Sequence, residues 1–123
     1  MDELLEKKLG KKFKWMGADF PFSCGDGWYK LIYDLCYSID NHYKQNKVST
    51  KNLKPILIKR KNGLLYFCLD NMIVGTRQII LCYEHKSGGI CELCGKPGKM
   101  RRRSLYKVLC DRHSAYYGYD DIE

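Results

Sequence analysis

Cys91-Glu92-Leu93-Cys94-Gly95-Lys96-Pro97-Gly98 and then Cys110-Asp111-Arg112-His113 form the stretch from which the rest of the chain is read. Each ligand-type pair encloses two residues, and fifteen separate Cys94 from Cys110. A Cys-x-x-Cys turn gathers two sulfurs near one point, where backbone N–H groups can hydrogen-bond the thiolates. A second pair, arriving after a short excursion, closes a tetrahedron of three sulfurs and one imidazole nitrogen. That is the spacing of a four-coordinate structural zinc site. Cys91, Cys94, Cys110 and His113 are therefore the predicted ligands of a structural Zn2+. Gly95 and Gly98 are expected to supply the positive φ that such a turn needs. Between the pairs, residues 99–103 and 105–109 read as two short strands joined near Ser104, a zinc ribbon with the ligand pairs at its base.

Upstream, Asn62-Gly63 stands between two apolar runs, 54–60 and 64–69, a strong hairpin signal. A two-residue turn sets Lys61 opposite Leu64, Lys59 opposite Tyr66 and Leu57 opposite Cys68. The other face then carries Ile56, Ile58, Leu65, Phe67 and Leu69, with Arg60 at the turn end, so pattern and turn agree. Before the hairpin, Trp28, Leu31, Ile32, Leu35, Cys36, Ile39 and Tyr43 repeat at helical spacing. Asp26 is expected to cap that helix, which spans about 27–46. Its stripe is expected to pack on the apolar face of the hairpin, with Cys36 a core thiol and His42 a surface residue near terminal carbonyls. Residues 45–52 form a polar linker. A second helix is expected over about 71–87, although the run 79–83 also fits a buried strand, and Ser87-Gly88-Gly89 ends it.

Residues 3–9 fit a short helix with acidic residues first and lysines last, which either docks through Leu4, Leu5 and Leu9 or frays. Residues 13–25 read as a loop pinned by burial of Phe13, Trp15, Phe20 and Phe22. The whole is an α+β fold: a core over 1–89, a zinc ribbon over 90–115, and a tail over 116–123 too short for another element.

The length of 123 residues suits one domain with a metal-stapled lobe. Charged residues make up 29% and hydrophobic residues 45%, the balance of a globular chain rather than a disordered one. No apolar run approaches the ~18 residues of a membrane span. The start, Met1-Asp2-Glu3-Leu4-Leu5-Glu6, is acidic and lacks a signal-peptide core. A cytosolic protein is expected, in which the seven cysteines serve as ligands and buried thiols rather than disulfides.

The formal charge of +8 points to acidic partners: nucleic acid, a ribonucleoprotein or an acidic protein face. Arg101, Arg102 and Arg103 lie next to the ribbon turn and are expected to be exposed, with Lys99 and Lys107 nearby. These five, with Tyr116 and Tyr117, are the candidate partner-binding or nucleic-acid-binding residues, since arginine and tyrosine are enriched at interface hot spots. Glu92 and Asp111 flank ligands and read as surface or supporting groups. No catalytic residue is assigned. The four ligands fill the zinc, and a treble-clef nuclease of the HNH type would need further His or Asn residues that are not there.

Cys24-Gly25-Asp26-Gly27-Trp28, Lys59-Arg60-Lys61-Asn62-Gly63-Leu64-Leu65-Tyr66-Phe67 and the Cys91/Cys94/Cys110/His113 set occur in this order. Over residues 24–113 this resembles a group of small phage and prophage proteins with a C-terminal zinc ribbon. The resemblance implies phage origin, a location in the cytoplasm of a bacterial host, and no defined activity. By analogy with small basic phage proteins that disable host defences, it suggests binding to a host protein or ribonucleoprotein, such as a CRISPR effector nuclease. Sequence-tolerant nucleic-acid binding is the alternative.

Overall fold

A computed structural model describes residues 1–122. Helix α1 covers Glu3–Lys12, α2 Tyr29–Gln45, α3 Thr76–Lys86 and α4 Asp111–Tyr117. Strands β1 (Lys54–Lys61) and β2 (Leu64–Asp70) form one antiparallel sheet. A second sheet, in the order β4-β3-β5, is built from β3 (Lys99–Arg102), β4 (Tyr106–Leu109) and β5 (Asp120–Asp121). The fold is α+β, as the sequence indicates.

The hairpin has the expected register: Lys61 faces Leu64, Lys59 faces Tyr66 and Leu57 faces Cys68. Ile58, Leu65, Phe67 and Leu69 are buried on one face. Ile56 is the exception. Pairing steps from Pro55↔Leu69 to Leu57↔Cys68, so Ile56 is the extra residue of a β-bulge and is 55% exposed. The inner face and the α2 stripe share one core, and α3 packs on both α2 and β2. The 79–83 run is helical, inside α3. The outward N–H groups of β2 are also covered from that side. Leu65 N–H donates to Ser87 Oγ (3.0 Å) and Phe67 N–H to the Glu84 carboxylate (2.8 Å).

Two helix starts and one helix end differ from expectation. Asp26 does not cap α2. It lies in a 3-10 turn, Asp26–Trp28, and its carboxylate accepts the Asp2 N–H at 2.7 Å. The helix proper begins at Tyr29, and the chain before it is shaped by contacts with the C-terminal lobe. Helix α3 begins at Thr76 rather than 71 because Asn71 (φ 63°) and Gly75 (φ 96°) break the backbone spiral. The intervening loop is tied down instead: Tyr43 Oη accepts the Ile73 N–H (3.1 Å), and the His42 ring nitrogen lies 2.9 Å from the Val74 carbonyl. His42 therefore meets the loop before α3 through one ring nitrogen, while the other lies 3.4 Å from the Asn46 side-chain nitrogen at the end of its own helix rather than on a terminal carbonyl. Helix α1 is longer than expected and anchored by Leu9, while Leu4 faces solvent.

The loop over 13–25 is pinned through Phe13, Trp15 and Phe22, all buried. It also joins the sheet: Ser23 bridges Lys59, with Ser23 N–H donating to the Ile58 carbonyl at 3.0 Å. Residues 116–122 do not form a structureless tail, and residue 123 of the expected tail lies outside the described residues. Tyr116 and Tyr117 complete α4, and β5 adds a third strand to the lobe. Val108 belongs to the main core and Met100 packs on it, so the lobe supplies part of the core that it sits on.

Phe67→Ala should cost about 3–5 kcal/mol in denaturant unfolding, as removal of a fully buried ring. Ile56→Ala should change stability by no more than about 0.5 kcal/mol. A large loss at Ile56 would refute the bulge.

Candidate metal centre

The knuckle is made first. Cys91 N–H donates to the Lys96 carbonyl (2.7 Å) and Gly95 N–H to the Cys91 carbonyl (2.9 Å), folding the Cys-x-x-Cys turn back on itself. Gly95 has the expected positive φ of 79°. Gly98 does not, and serves by close approach instead, since a Cβ there would lie 2.9 Å from the Leu109 backbone. The second pair comes from a helix rather than from the base of a strand. Cys110 is the N-cap of α4, His113 lies in its first turn, and the His113 N–H reaches Cys110 Sγ at 3.5 Å. The lobe is thus a knuckle, a hairpin and a helix in sequence.

The four ligand atoms lie within 4.8 Å of one another. Cys94 Sγ is 3.8 Å from Cys110 Sγ, and His113 Nδ1 is 3.5 Å from Cys91 Sγ and 3.3 Å from Cys110 Sγ. A tetrahedral zinc with its ordinary bond lengths has sulfur–sulfur edges of about 3.8 Å and sulfur–nitrogen edges of about 3.6 Å. Three of the six edges are close to those lengths and none exceeds 4.8 Å, so these four residues could hold a metal ion of the zinc type. Among the described residues this is the one His/Cys/Asp/Glu cluster of that kind. The His113 N–H pulls the Cys110 thiol down to about 6, favouring the thiolate that binds metal. Burial has the opposite effect on Cys24, raised to about 12, and also raises Cys36, which leaves both as inert core thiols. Cys94, Cys110 and His113 line a surface cleft of about 320 Å³, which gives the site an entry path.

Glu92, between the two knuckle cysteines, is not a surface group. It is 2% exposed and receives the Arg60 guanidinium at 3.0 and 3.2 Å and the Gly25 N–H at 2.8 Å. Its backbone is held as well: the carbonyl accepts the Gly27 N–H (2.7 Å) and the N–H donates to the Val108 carbonyl (2.9 Å). Trp28 Nε1 donates to the neighbouring Ile90 carbonyl at 2.9 Å. A Cβ on Gly25 or Gly27 would stand 2.4 or 2.2 Å from the knuckle carbonyls, so only glycine lets the chains approach. The segment 24–28, Arg60 and the knuckle are therefore one seam. The two glycines flanking Asp26 were the sequence signal for it, since paired glycines mark a close backbone approach.

The candidate partner residues separate into two groups. Arg101 is not exposed. It is 5% accessible, donates to the Leu109 carbonyl at 3.2 Å and to Asp111 at 2.6 Å, and pairs with Asp121. Strand alternation turns it inward while Arg102 faces out. Lys99 is exposed but paired with Asp121 at 3.0 Å. Arg103 is exposed and donates to the Tyr117 carbonyl (3.1 Å), which ties the hairpin turn to α4. Lys107 lies 5.8 Å from the Tyr119 ring centre. Tyr116, 78% exposed, meets Tyr117 edge-on at 4.8 Å, and Tyr117 stacks on His113 at 6.3 Å.

No protein-family profile, characterised protein or solved structure matches the chain. Among the described residues, no helix is long and apolar enough to cross a membrane.

Cys91→Ala or Cys110→Ala should abolish metal retention on a chelating resin and broaden the NMR signals beyond residue 89, while those of α2 and the hairpin persist. A mutant that keeps both metal and lobe order would refute the site. Glu92→Gln leaves Arg60 facing a neutral group and should cost about 3 kcal/mol in unfolding free energy with the cage ligands intact.

Proposed function

We propose that the chain is a non-enzymatic zinc-binding phage accessory protein that binds and inhibits a host protein or ribonucleoprotein, a CRISPR effector nuclease being the leading case. In this reading the zinc is structural, because four protein ligands fill its tetrahedron and leave no position for a substrate. One observation carries the reading: Arg102, Arg103, Tyr116 and Tyr117 are all exposed around the hairpin turn and α4 of the metal lobe. The lobe's acidic groups support it. Glu92, Asp111 and Asp121 are each engaged by an arginine of this chain, which leaves Asp120, opposite Arg102 on β5, to face the more numerous outward cations. Aromatic and arginine side chains on a stiff support lose little entropy on docking, which is the character of an interface hot spot.

The competing reading is sequence-tolerant nucleic-acid binding through the same cations, with Arg112 added. Such binding would weaken steeply with salt.

In pull-downs from nuclease-treated bacterial lysate, the zinc-loaded protein should retain a host protein, and Arg102→Glu/Arg103→Glu should reduce retention at least about tenfold. Retention unaffected by this variant and by Tyr116→Ala refutes the surface. An unchanged RNA-guided cleavage rate refutes the defence-inhibitor version. A shift of DNA or RNA at low salt, with no protein captured, favours the competing reading.

A further inference from the structure

The strand edges of this fold are unequally protected. The outward N–H groups of β2 are taken by Glu84 and Ser87, and the free side of β1 is bridged by Ser23. On β4, the Val108 carbonyl is taken by Glu92 N–H and the Leu109 carbonyl by Arg101. The outer edge of β3 is paired only with the two residues of β5, as Arg101↔Asp121 and Arg102↔Asp120, and the 3-10 turn Ser87–Gly89 packs on the strand as well. That pairing leaves Lys99 and Met100 without a strand partner on this side.

The occupant is as informative as the edge. The strand that lies there is Asp-Asp, with one Asp121 oxygen on the exposed Lys99 and the other on the buried Arg101. Lys99 and Arg101 hold the Asp121 carboxyl below its ordinary value. A guanidinium out of water requires anions around it. Asp111 supplies one, and the strand on β3 supplies the next. Yet β5 itself is slight: both its residues are exposed and its ladder is two pairs long. Short, exposed ladders open at low cost.

We propose that the outer edge of β3 is a strand-docking site for an acidic extended peptide of the partner protein, occupied in cis by residues 120–122. This rests on the protein-binding reading above and names the partner's chemistry. The incoming strand pairs with all of β3 rather than half of it, and brings a carboxylate to the place that Asp121 vacates. Main-chain bonds supply affinity, and the Arg101/Lys99 pair supplies the preference for Asp or Glu.

The test uses the zinc-loaded full chain and a fluorescent peptide, Gly-Tyr-Asp-Asp-Ile-Glu, copied from residues 118–123. Because the cis strand occupies the site, wild type should bind weakly. Asp121→Asn frees the edge and should bind about tenfold more tightly, as expected when the competent fraction rises tenfold. Adding Lys99→Glu to Asp121→Asn should abolish the gain. A peptide with both aspartates changed to asparagine should not bind, and amide shifts should fall on Lys99, Met100, Arg101 and Arg102. Equal affinity of wild type and Asp121→Asn overturns the proposal, as does equal binding of the two peptides. Displacement of the peptide from β3 by a short oligonucleotide would show an edge that reads phosphate, which also overturns it. Host-protein capture that survives Lys99→Glu but not Arg102→Glu/Arg103→Glu would sink this inference and leave the proposed function standing. Peptide binding at β3 without any host-protein capture would do the reverse.

Discussion

A carboxylate taken out of water has to be answered by the protein around it, and Glu92 is the residue on which that demand falls. Its carboxylate is answered from two distant places, the Gly25 N–H and Arg60 at the end of β1, and its backbone carbonyl accepts the Gly27 N–H. Each answer fixes something else. Gly25 and Gly27 set where α2 begins and so where its apolar stripe points. Arg60 couples the hairpin to the knuckle. Trp28, held by the Ile90 carbonyl, fills the space between them. A buried ion pair is weak evidence of net stability. What it supplies here is one permitted arrangement, because a slip of the knuckle would strand a charge.

The lobe depends on this seam because its own apolar interior is small. Cys91, Leu109 and Cys110 form its cluster, with Leu93 and Tyr119 packed alongside, while Val108 and Met100 face the larger core. A segment of this size cannot bury enough surface to order itself, and metal ligation is the usual remedy. Arg101 adds a second internal charge network, tying β3 to the start of α4 and to β5. The lobe is therefore held by a cage of ligands on one side and by two guanidiniums on the other.

What the sequence disclosed, and what it hid, follow from the range of the interactions. The hairpin, the α2 stripe and the ligand cage were legible because turn chemistry, periodicity and spacing act over a few residues. The Glu92–Arg60 pair spans 32 positions, and an isolated glutamate between two cysteines looks like any surface acid. The three arginines look alike in sequence, and only strand alternation, with Asp111 and Asp121 to receive the guanidinium, turns Arg101 inward. The start of α3 was misplaced because apolar periodicity continues through Ile73, where the backbone at Asn71 and Gly75 does not. Helix α4 and β5 were missed because each is too short to show a period, and both are stabilised by neighbours rather than by their own residues.

The position of the knuckle late in the chain has a consequence for synthesis. Chains emerge N-terminus first and domains fold as units. Trp28, Gly25, Gly27 and Arg60 all leave the ribosome before Glu92 and Val108, which complete their surroundings. Until then the nascent chain is a half-built core, with an indole N–H and a guanidinium waiting for partners. Closure of the ligand cage, which needs His113, is among the last events and follows arrival of the seam residues. A chain broken off before residue 90 keeps α2 and the hairpin but leaves Trp28, Gly25, Gly27 and Arg60 without the partners that Ile90 and Glu92 bring, so the seam is among the last parts of the fold to be completed.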